Sequence, residues 1–185
     1  MRTDEIVMAV LLKGGRKMLT GESLLHNTIY ILNEKIDLGL DFRPCYYGPH
    51  SIEIANAIDC LRSSKILTEY STNVPFCDVK DWIESRRNIY LLTEVGTKIA
   101  KRLEIIYPDT IKGIKYQLAK IEKIDGLYDY ENLSIAAKIH QLYKNEDKKP
   151  SVDEIIKDIH FLKWNVSYPS RITNFLIQME LEKWT

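Results

Sequence analysis

The sequence predicts a mainly helical protein that carries one small β-hairpin. Over most of the chain, apolar residues recur every three or four positions, which is the period of an α-helix. Strand-like runs occur only around residues 65–70 and 88–92. Hydrophobic residues make up 45% and charged residues 28% of the 185-residue chain, and this balance is typical of a globular protein and excludes a disordered tail.

The N-terminal half predicts three helices. A short helix over residues 4–12 ends at two adjacent glycines, and a second helix over residues 20–35 carries one apolar stripe. The third helix spans residues 51–62, directly after a Gly-Pro turn, and we expect Ser51 to cap it. Its inward face is predicted to consist of Ile54, Ile58 and Leu61.

Two predicted strands follow the third helix, and a polar stretch separates them. Thr93 comes directly after the second strand and is predicted to cap a helix that reaches residue 106. Three helices followed by two strands that a loop connects is the layout of a winged helix-turn-helix. In this interpretation the segment 71–87 is the wing, which is longer than usual.

The C-terminal region predicts a further set of helices. Residues 109–124 and 133–143 each show helical spacing, and a capping box at Ser151 and Glu154 starts another helix. A last helix is predicted to begin at residue 169 or 170. We therefore expect a winged-helix domain over residues 1–107 and a helical domain over residues 108–185, the latter either a second helix-turn-helix or a plain helical cap.

The cysteine pattern suits a reducing compartment. Cys45, Cys60 and Cys77 are odd in number and widely spaced, so we expect buried structural thiols in a cytoplasmic protein. A metal site would need these cysteines to converge with His50, and no Cys-x-x-Cys pair supports that.

No segment is long and apolar enough to span a bilayer. The abundance of Ile and Lys is compatible with a thermophilic source.

Two motifs resemble those of known families. Residues 90–96, Tyr-Leu-Leu-Thr-Glu-Val-Gly, are similar to the strand-to-helix junction that ends the wing in many winged-helix regulators. The Leu- and Tyr-rich second helix with residues 45–51, Cys-Tyr-Tyr-Gly-Pro-His-Ser, resembles a largely uncharacterised bacterial and archaeal family related to the Panacea antitoxin-type domain. This chain departs from that family at His50, where an aromatic or aliphatic residue is more common, and in its longer wing. The resemblance covers residues 4–106, and it implies a winged-helix fold and a regulatory or adaptor role without enzyme activity.

The charge pattern restricts where nucleic acid could bind. Lys plus Arg and Asp plus Glu both total 26, so any affinity for phosphates must come from a local patch. The predicted third helix offers Arg62 at its end, but its carboxylates Glu53 and Asp59 are unfavourable next to phosphates. If this helix does not bind DNA, the alternative is that it is an amphipathic helix that closes a core or contacts a protein partner.

The other candidate DNA contacts lie on the wing and on the last predicted helix. Arg86 and Arg87 stand beside the second wing strand, where they either contact phosphates or form an ordinary solvated charge pair. The last helix and the turn before it offer hydrogen-bond donors and cations that suit phosphates or base edges. These residues are Lys163, Ser170, Arg171, Thr173 and Asn174.

No catalytic motif is recognisable. The phosphate-loop, nucleophile-elbow and zinc-protease patterns do not occur, and no two histidines are four residues apart. His140 and His160 lie near apolar stripes, which is typical of hydrogen-bonded core or boundary histidines. We expect a non-enzymatic transcriptional regulator that binds double-stranded DNA as a homodimer, without a cofactor or a metal. The alternative is a winged-helix protein-interaction module, an antitoxin-like adaptor that binds a protein partner and not DNA.

Overall fold

The computed structural model describes residues 1–14, 21–73, 86–123, 130–144 and 151–161, and these residues form a mainly helical fold with a small antiparallel sheet. The predicted fold class is confirmed at this level. In chain order the elements are α1 (Thr3–Gly14), α2 (Glu22–Ile36), α3 (Ile52–Ser63), β1 (Leu67–Asn73), β2 (Arg86–Leu92), α4 (Glu94–Ile106), α5 (Pro108–Lys123), α6 (Tyr130–Tyr143) and α7 (Val152–Phe161).

Helix α1 lies at the centre of the core. Six consecutive residues, Ile6 to Leu11, are buried, which is the pattern of a helix surrounded on all sides. It packs against α3, α4, α5 and β2. In α2 the buried stretch runs from Leu24 to Leu32, and in α3 the predicted inward residues are buried as expected. The apolar periodicity therefore identified the buried face of α3, whereas α2 is buried over more of its surface than the predicted single stripe.

The two strands extend further into the predicted wing than the sequence indicated. They pair antiparallel from Leu67 opposite Leu92 to Asn73 opposite Arg86. The Ser71 hydroxyl donates a hydrogen bond to the Asn88 side chain across the strands, 3.1 Å away. Cross-strand polar pairs of this kind stabilise a ladder without apolar alternation, so the strand ends carried no clear sequence signal.

The hydrophobic core continues across residue 107. Helices α5 and α6 pack against α2, α5 also packs against α1 and α4, and their buried residues join those of the N-terminal half in one cluster. The predicted inward residues of α5 are all buried: Ile111, Ile114, Leu118 and Ile121. The division into two domains at this point stays a prediction.

Both predicted helix caps outside α3 are confirmed. The Thr93 hydroxyl accepts a hydrogen bond from the Gly96 peptide nitrogen, 3.1 Å away, at the start of α4. At α7, the Ser151 hydroxyl accepts from the Glu154 peptide nitrogen, and the Glu154 carboxylate accepts from that of Ser151. The predicted last helix lies outside the described residues.

Within the described part of the chain, no helix is long and apolar enough to cross a membrane.

Two local expectations are wrong. Ser51 lies at the N-cap of α3, but its side chain makes no capping hydrogen bond because it is turned into the interior, where the residue is 1% exposed. Cys45 and Cys60 are exposed rather than buried. Cys45 occupies a tight turn, and Cys60 lies at the solvent-exposed flank of the buried face of α3. Cys77 is outside the described residues.

Candidate functional site

The structure separates the predicted DNA contacts. Arg62 lies in the last turn of α3, whereas Arg86 and Arg87 occupy β2, opposite Asn73 and Thr72 of β1. The remaining candidates lie outside the described residues: Lys163, Ser170, Arg171, Thr173 and Asn174.

Arg62 is occupied by ion pairs. Its guanidinium donates to the Asp59 carboxylate at 2.8 Å and to the Glu69 carboxylate at 2.5 Å. The hydrogen bond to Glu69 and the charges of both carboxylates raise the pKa of Arg62. Glu53 adds a further exposed carboxylate on the same helix. The exposed side of α3 is therefore acidic, and its arginine is already neutralised by neighbouring side chains.

Unpaired positive charge lies instead on α4 and α5. Among the exposed cations of these helices that form no ion pair within the described part of the chain, we group four and call them the cationic surface. They are Lys101, Arg102, Lys112 and Lys115. Each faces solvent because the neighbouring positions Ala100, Leu103, Ile111 and Ile114 turn into the core.

A single carboxylate links the cationic surface to the end of α1. Glu104 accepts a hydrogen bond from Lys13 at 2.6 Å. The pKa of Glu104 is lowered first by this contact and further by the charges of Lys101 and Lys115, which belong to different helices. Three lysines thus surround one carboxylate, and the local charge is positive.

The cationic surface was not predicted, because the sequence pattern pointed to cations on the predicted recognition helices and the wing. A signal was present, since Lys112 and Lys115 are three positions apart, between buried isoleucines. Lys101 and Arg102 likewise lie between the buried Ala100 and Leu103. Whether such cations are paired depends on tertiary neighbours, which helical spacing does not reveal.

A second cluster joins α2 to the turn before α3. Glu22 and His26 lie one turn apart on α2, with the Nε2 atom of His26 3.6 Å from a Glu22 carboxylate oxygen. The ring of His50 stacks on that of His26, with centroids 4.4 Å apart and planes 9° apart. The three residues each have a potential ligand atom within 4.8 Å of the others. The spacing of four between Glu22 and His26 was the sequence signal for this cluster, whereas the histidines alone show no such spacing.

The hydrogen bond at the other side of the His26 ring argues against a metal centre. The Ser51 peptide N–H donates to Nδ1 of His26 at 3.1 Å, so Nδ1 carries a lone pair and the proton of the neutral ring is on Nε2. A histidine that binds metal through Nε2 donates its Nδ1 proton to an acceptor. Here Nδ1 faces a donor. The cluster is therefore a carboxylate–histidine pair with a second imidazole stacked on it.

The charges of this cluster are tuned by burial and by each other. The Nε2–H group of His26, which lies 3.6 Å from the carboxylate, lowers the pKa of Glu22 against the opposing effect of burial. Tyr90 of β2 donates its hydroxyl to the second Glu22 oxygen at 3.2 Å. Burial lowers the pKa of His50, and the Glu22 carboxylate acts in the opposite direction. The Ser51 hydroxyl is too deeply buried to meet a substrate.

The interpretation of His140 as a hydrogen-bonded core histidine is confirmed. It is 5% exposed, and its Nδ1 lies 2.7 Å from the hydroxyl of the fully buried Tyr30. The same interpretation is wrong for His160, which is exposed near the end of α7. No known protein family and no curated protein matches the chain. The candidate sites are therefore the cationic surface, the acidic exposed side of α3, and the cluster of Glu22, His26 and His50.

Proposed function

We propose that the chain is a DNA-binding transcriptional regulator of the winged-helix type that holds the phosphate backbone with the cationic surface on α4 and α5. The observation that carries this proposal is that Lys101, Arg102, Lys112 and Lys115 are exposed without an ion pair among the described residues. The order of three helices followed by a β-hairpin supports the winged-helix part of the proposal. A homodimer would double these contacts.

Phosphate binding is the chemistry that such a surface favours. Each lysine or arginine that pairs with a phosphate releases condensed counterions from DNA, so affinity decreases as salt rises. These contacts position a protein without reading sequence. Base reading is assigned to the predicted last helix, whose Arg171, Thr173 and Asn174 can bond base edges.

The proposal is tested by fluorescence anisotropy of a mixed-sequence DNA duplex titrated with the protein at about 50 and 200 mM salt. Four phosphate contacts give a slope of about −3.6 in log affinity against log salt, which is a loss of roughly 10²-fold over this range. Absence of binding at the lower salt concentration would show that the chain is not a DNA-binding protein.

Substitution of Arg62 by alanine is expected to leave DNA affinity within about twofold of wild type, because both ends of its guanidinium already bind carboxylates. The same titration at about 50 mM salt measures this. A loss of tenfold or more would place α3 against the phosphates and contradict the assignment to α4 and α5.

A protein-interaction module is the second candidate, and the exposed side of α3 favours it. Ile52 is 72% exposed at the start of this helix, next to Glu53 and one turn before further polar positions. An apolar anchor with a polar rim is typical of protein interfaces. A stoichiometric partner that is lost on Ile52→Ser, together with no DNA binding at low salt, would support the adaptor over the regulator.

A further inference from the structure

Two adjacent isoleucines lie exposed at the corner where α4 ends and α5 begins. Ile105 is 82% exposed and Ile106 is 60% exposed. They are the last two residues of α4, and α5 starts at Pro108. We call this pair the isoleucine tip. Because burial of an isoleucine side chain is strongly favourable, two neighbouring isoleucines in contact with water indicate a surface that a binding partner covers.

The isoleucine tip lies among the cations of α4. Ile105 follows Lys101 by four positions, and Ile106 follows Arg102 by four, so each isoleucine is one helical turn beyond a positive charge. Ile105 is also three positions from Arg102 and therefore lies between the two cations on the exposed side of the helix. Side chains at these spacings have Cβ atoms about 5–6 Å apart. The most exposed isoleucine of α4 thus has a positive charge on either side.

The carboxylates nearest to the tip do not cancel this positive charge. Glu104 already accepts a hydrogen bond from Lys13 at 2.6 Å. Asp109 lies in the first turn of α5, where the free peptide N–H groups of the helix N-terminus stabilise a carboxylate. Further along α5, Lys112 and Lys115 add two exposed cations to the same corner. The corner is therefore an apolar tip in a positive surrounding.

This combination fits a DNA duplex better than a second copy of the chain. Two copies that met at the isoleucine tip about a two-fold axis would also bring Lys101 and Arg102 of both copies together, and like charges repel across an interface. A duplex instead offers phosphates on both sides of its minor groove and apolar base faces between them. Isoleucine is among the side chains that proteins insert between base pairs from this groove.

We propose that Ile105 and Ile106 form a wedge that enters the minor groove, partly unstacks one base step and kinks the DNA held by the cationic surface. The inference rests on the proposed DNA binding and adds to it a change in the shape of the DNA. Apolar wedges of this kind bend the duplex towards the major groove. Since flexible steps such as TA cost least to deform, the wedge also favours some sequences without hydrogen bonds to bases.

Magnetic tweezers measure the kink on a long mixed-sequence duplex and require no known binding site. Bare DNA has a persistence length of about 50 nm, and kinks of about 20° every 20 base pairs or so reduce the apparent value to roughly 35 nm. We expect the wild-type protein, at saturation and about 50 mM salt, to lower the persistence length to roughly 35 nm or less. A value within about 10% of bare DNA would overturn the wedge.

The double variant Ile105→Ser and Ile106→Ser removes the wedge and keeps the cations. We expect its DNA affinity to stay within about threefold of wild type, with the same salt slope, because the phosphate contacts are unchanged. The persistence length of the saturated duplex should return to within about 10% of the bare value. Softening equal to that of wild type would contradict the proposal. The fold should tolerate both changes, because the two side chains are exposed.

Two further variants provide matched comparisons. Replacement of both isoleucines by leucine keeps an apolar wedge of similar size, so this variant should soften the duplex as wild type does. Ile52→Ser removes an isoleucine of comparable exposure from α3, and it should also leave the softening unchanged. Loss of softening in either variant would show that an apolar tip on α4 is not its cause.

The outcomes separate the wedge from DNA binding itself. If fluorescence anisotropy detects no binding at about 50 mM salt, the proposed function is wrong and the wedge with it. If binding shows the expected salt dependence but the duplex keeps its stiffness, only the wedge is wrong. Sedimentation velocity tests the second copy as occupant of the tip. A wild-type dimer that becomes a monomer in the double serine variant would assign the isoleucines to a subunit contact and overturn the proposal.

Discussion

Simultaneous substitution of Lys101, Arg102, Lys112 and Lys115 by alanine is expected to weaken binding of mixed-sequence duplex DNA at about 50 mM salt by at least roughly 10²-fold. Each phosphate contact contributes about 0.9 to the salt slope, so removing four contacts also flattens most of the salt dependence. The fold should tolerate the change, because all four side chains are exposed and form no ion pair with described residues. Thermal unfolding of the variant verifies this.

A charge-matched variant separates the surface from net charge. Alanine at Arg2, Arg43, Lys65 and Lys157 also removes four positive charges, but from exposed positions outside α4 and α5. We expect this control to keep DNA affinity within about threefold of wild type, since electrostatic contacts act locally at moderate salt. Equal losses in both variants would mean that net charge, rather than the cationic surface, determines the affinity.

Gly96→Ala is expected to destabilise the protein by about 2–3 kcal/mol, the upper range for an overpacked site. A Cβ at this position would lie 2.2 Å from the carbonyl oxygen of Ile66. That oxygen cannot move freely, because it accepts hydrogen bonds from the Thr93 peptide nitrogen at 3.0 Å and from the Thr93 hydroxyl at 3.1 Å. The close approach of α4 to the start of β1 therefore explains why glycine follows the threonine cap.

Urea unfolding measures this effect, and Gly113→Ala provides the control. In α5 a Cβ at Gly113 would meet the Ile36 side chain at 3.5 and 3.6 Å, which is ordinary contact. Because alanine favours a helix interior over glycine by about 0.5–1 kcal/mol, the control should be neutral or slightly stabilising. A free energy of unfolding for Gly96→Ala within about 0.5 kcal/mol of wild type would contradict the predicted clash.

The local features of this fold were readable from the sequence. Apolar spacing located the buried faces of α3 and α5, and the caps at Thr93 and Ser151 depend on groups within three residues. Each of these signals is contained in one helical turn, where spacing alone determines which groups meet. The two predicted strands were also found, because short runs of strand-forming residues are a local signal, but the sequence did not predict their full length.

The candidate sites were not readable, because their partners come from different elements. The ion pair of Arg62 with Glu69 could not be predicted, because only the packing of β1 beside α3 brings the two side chains together. The stacking of His50 on His26 joins residues that are 24 positions apart, through the turn before α3. Helical periodicity predicts which residues face solvent, but it does not reveal which exposed charges are already paired.

The central claim, that α4 and α5 hold the DNA backbone, is tested most directly by NMR chemical-shift mapping of the labelled protein titrated with a mixed-sequence duplex. The account predicts perturbations at the amides of Lys101, Arg102, Lys112 and Lys115, with the acidic face around Asp59 of α3 unaffected. Perturbations that are concentrated on α3 and leave α4 and α5 unchanged would contradict it.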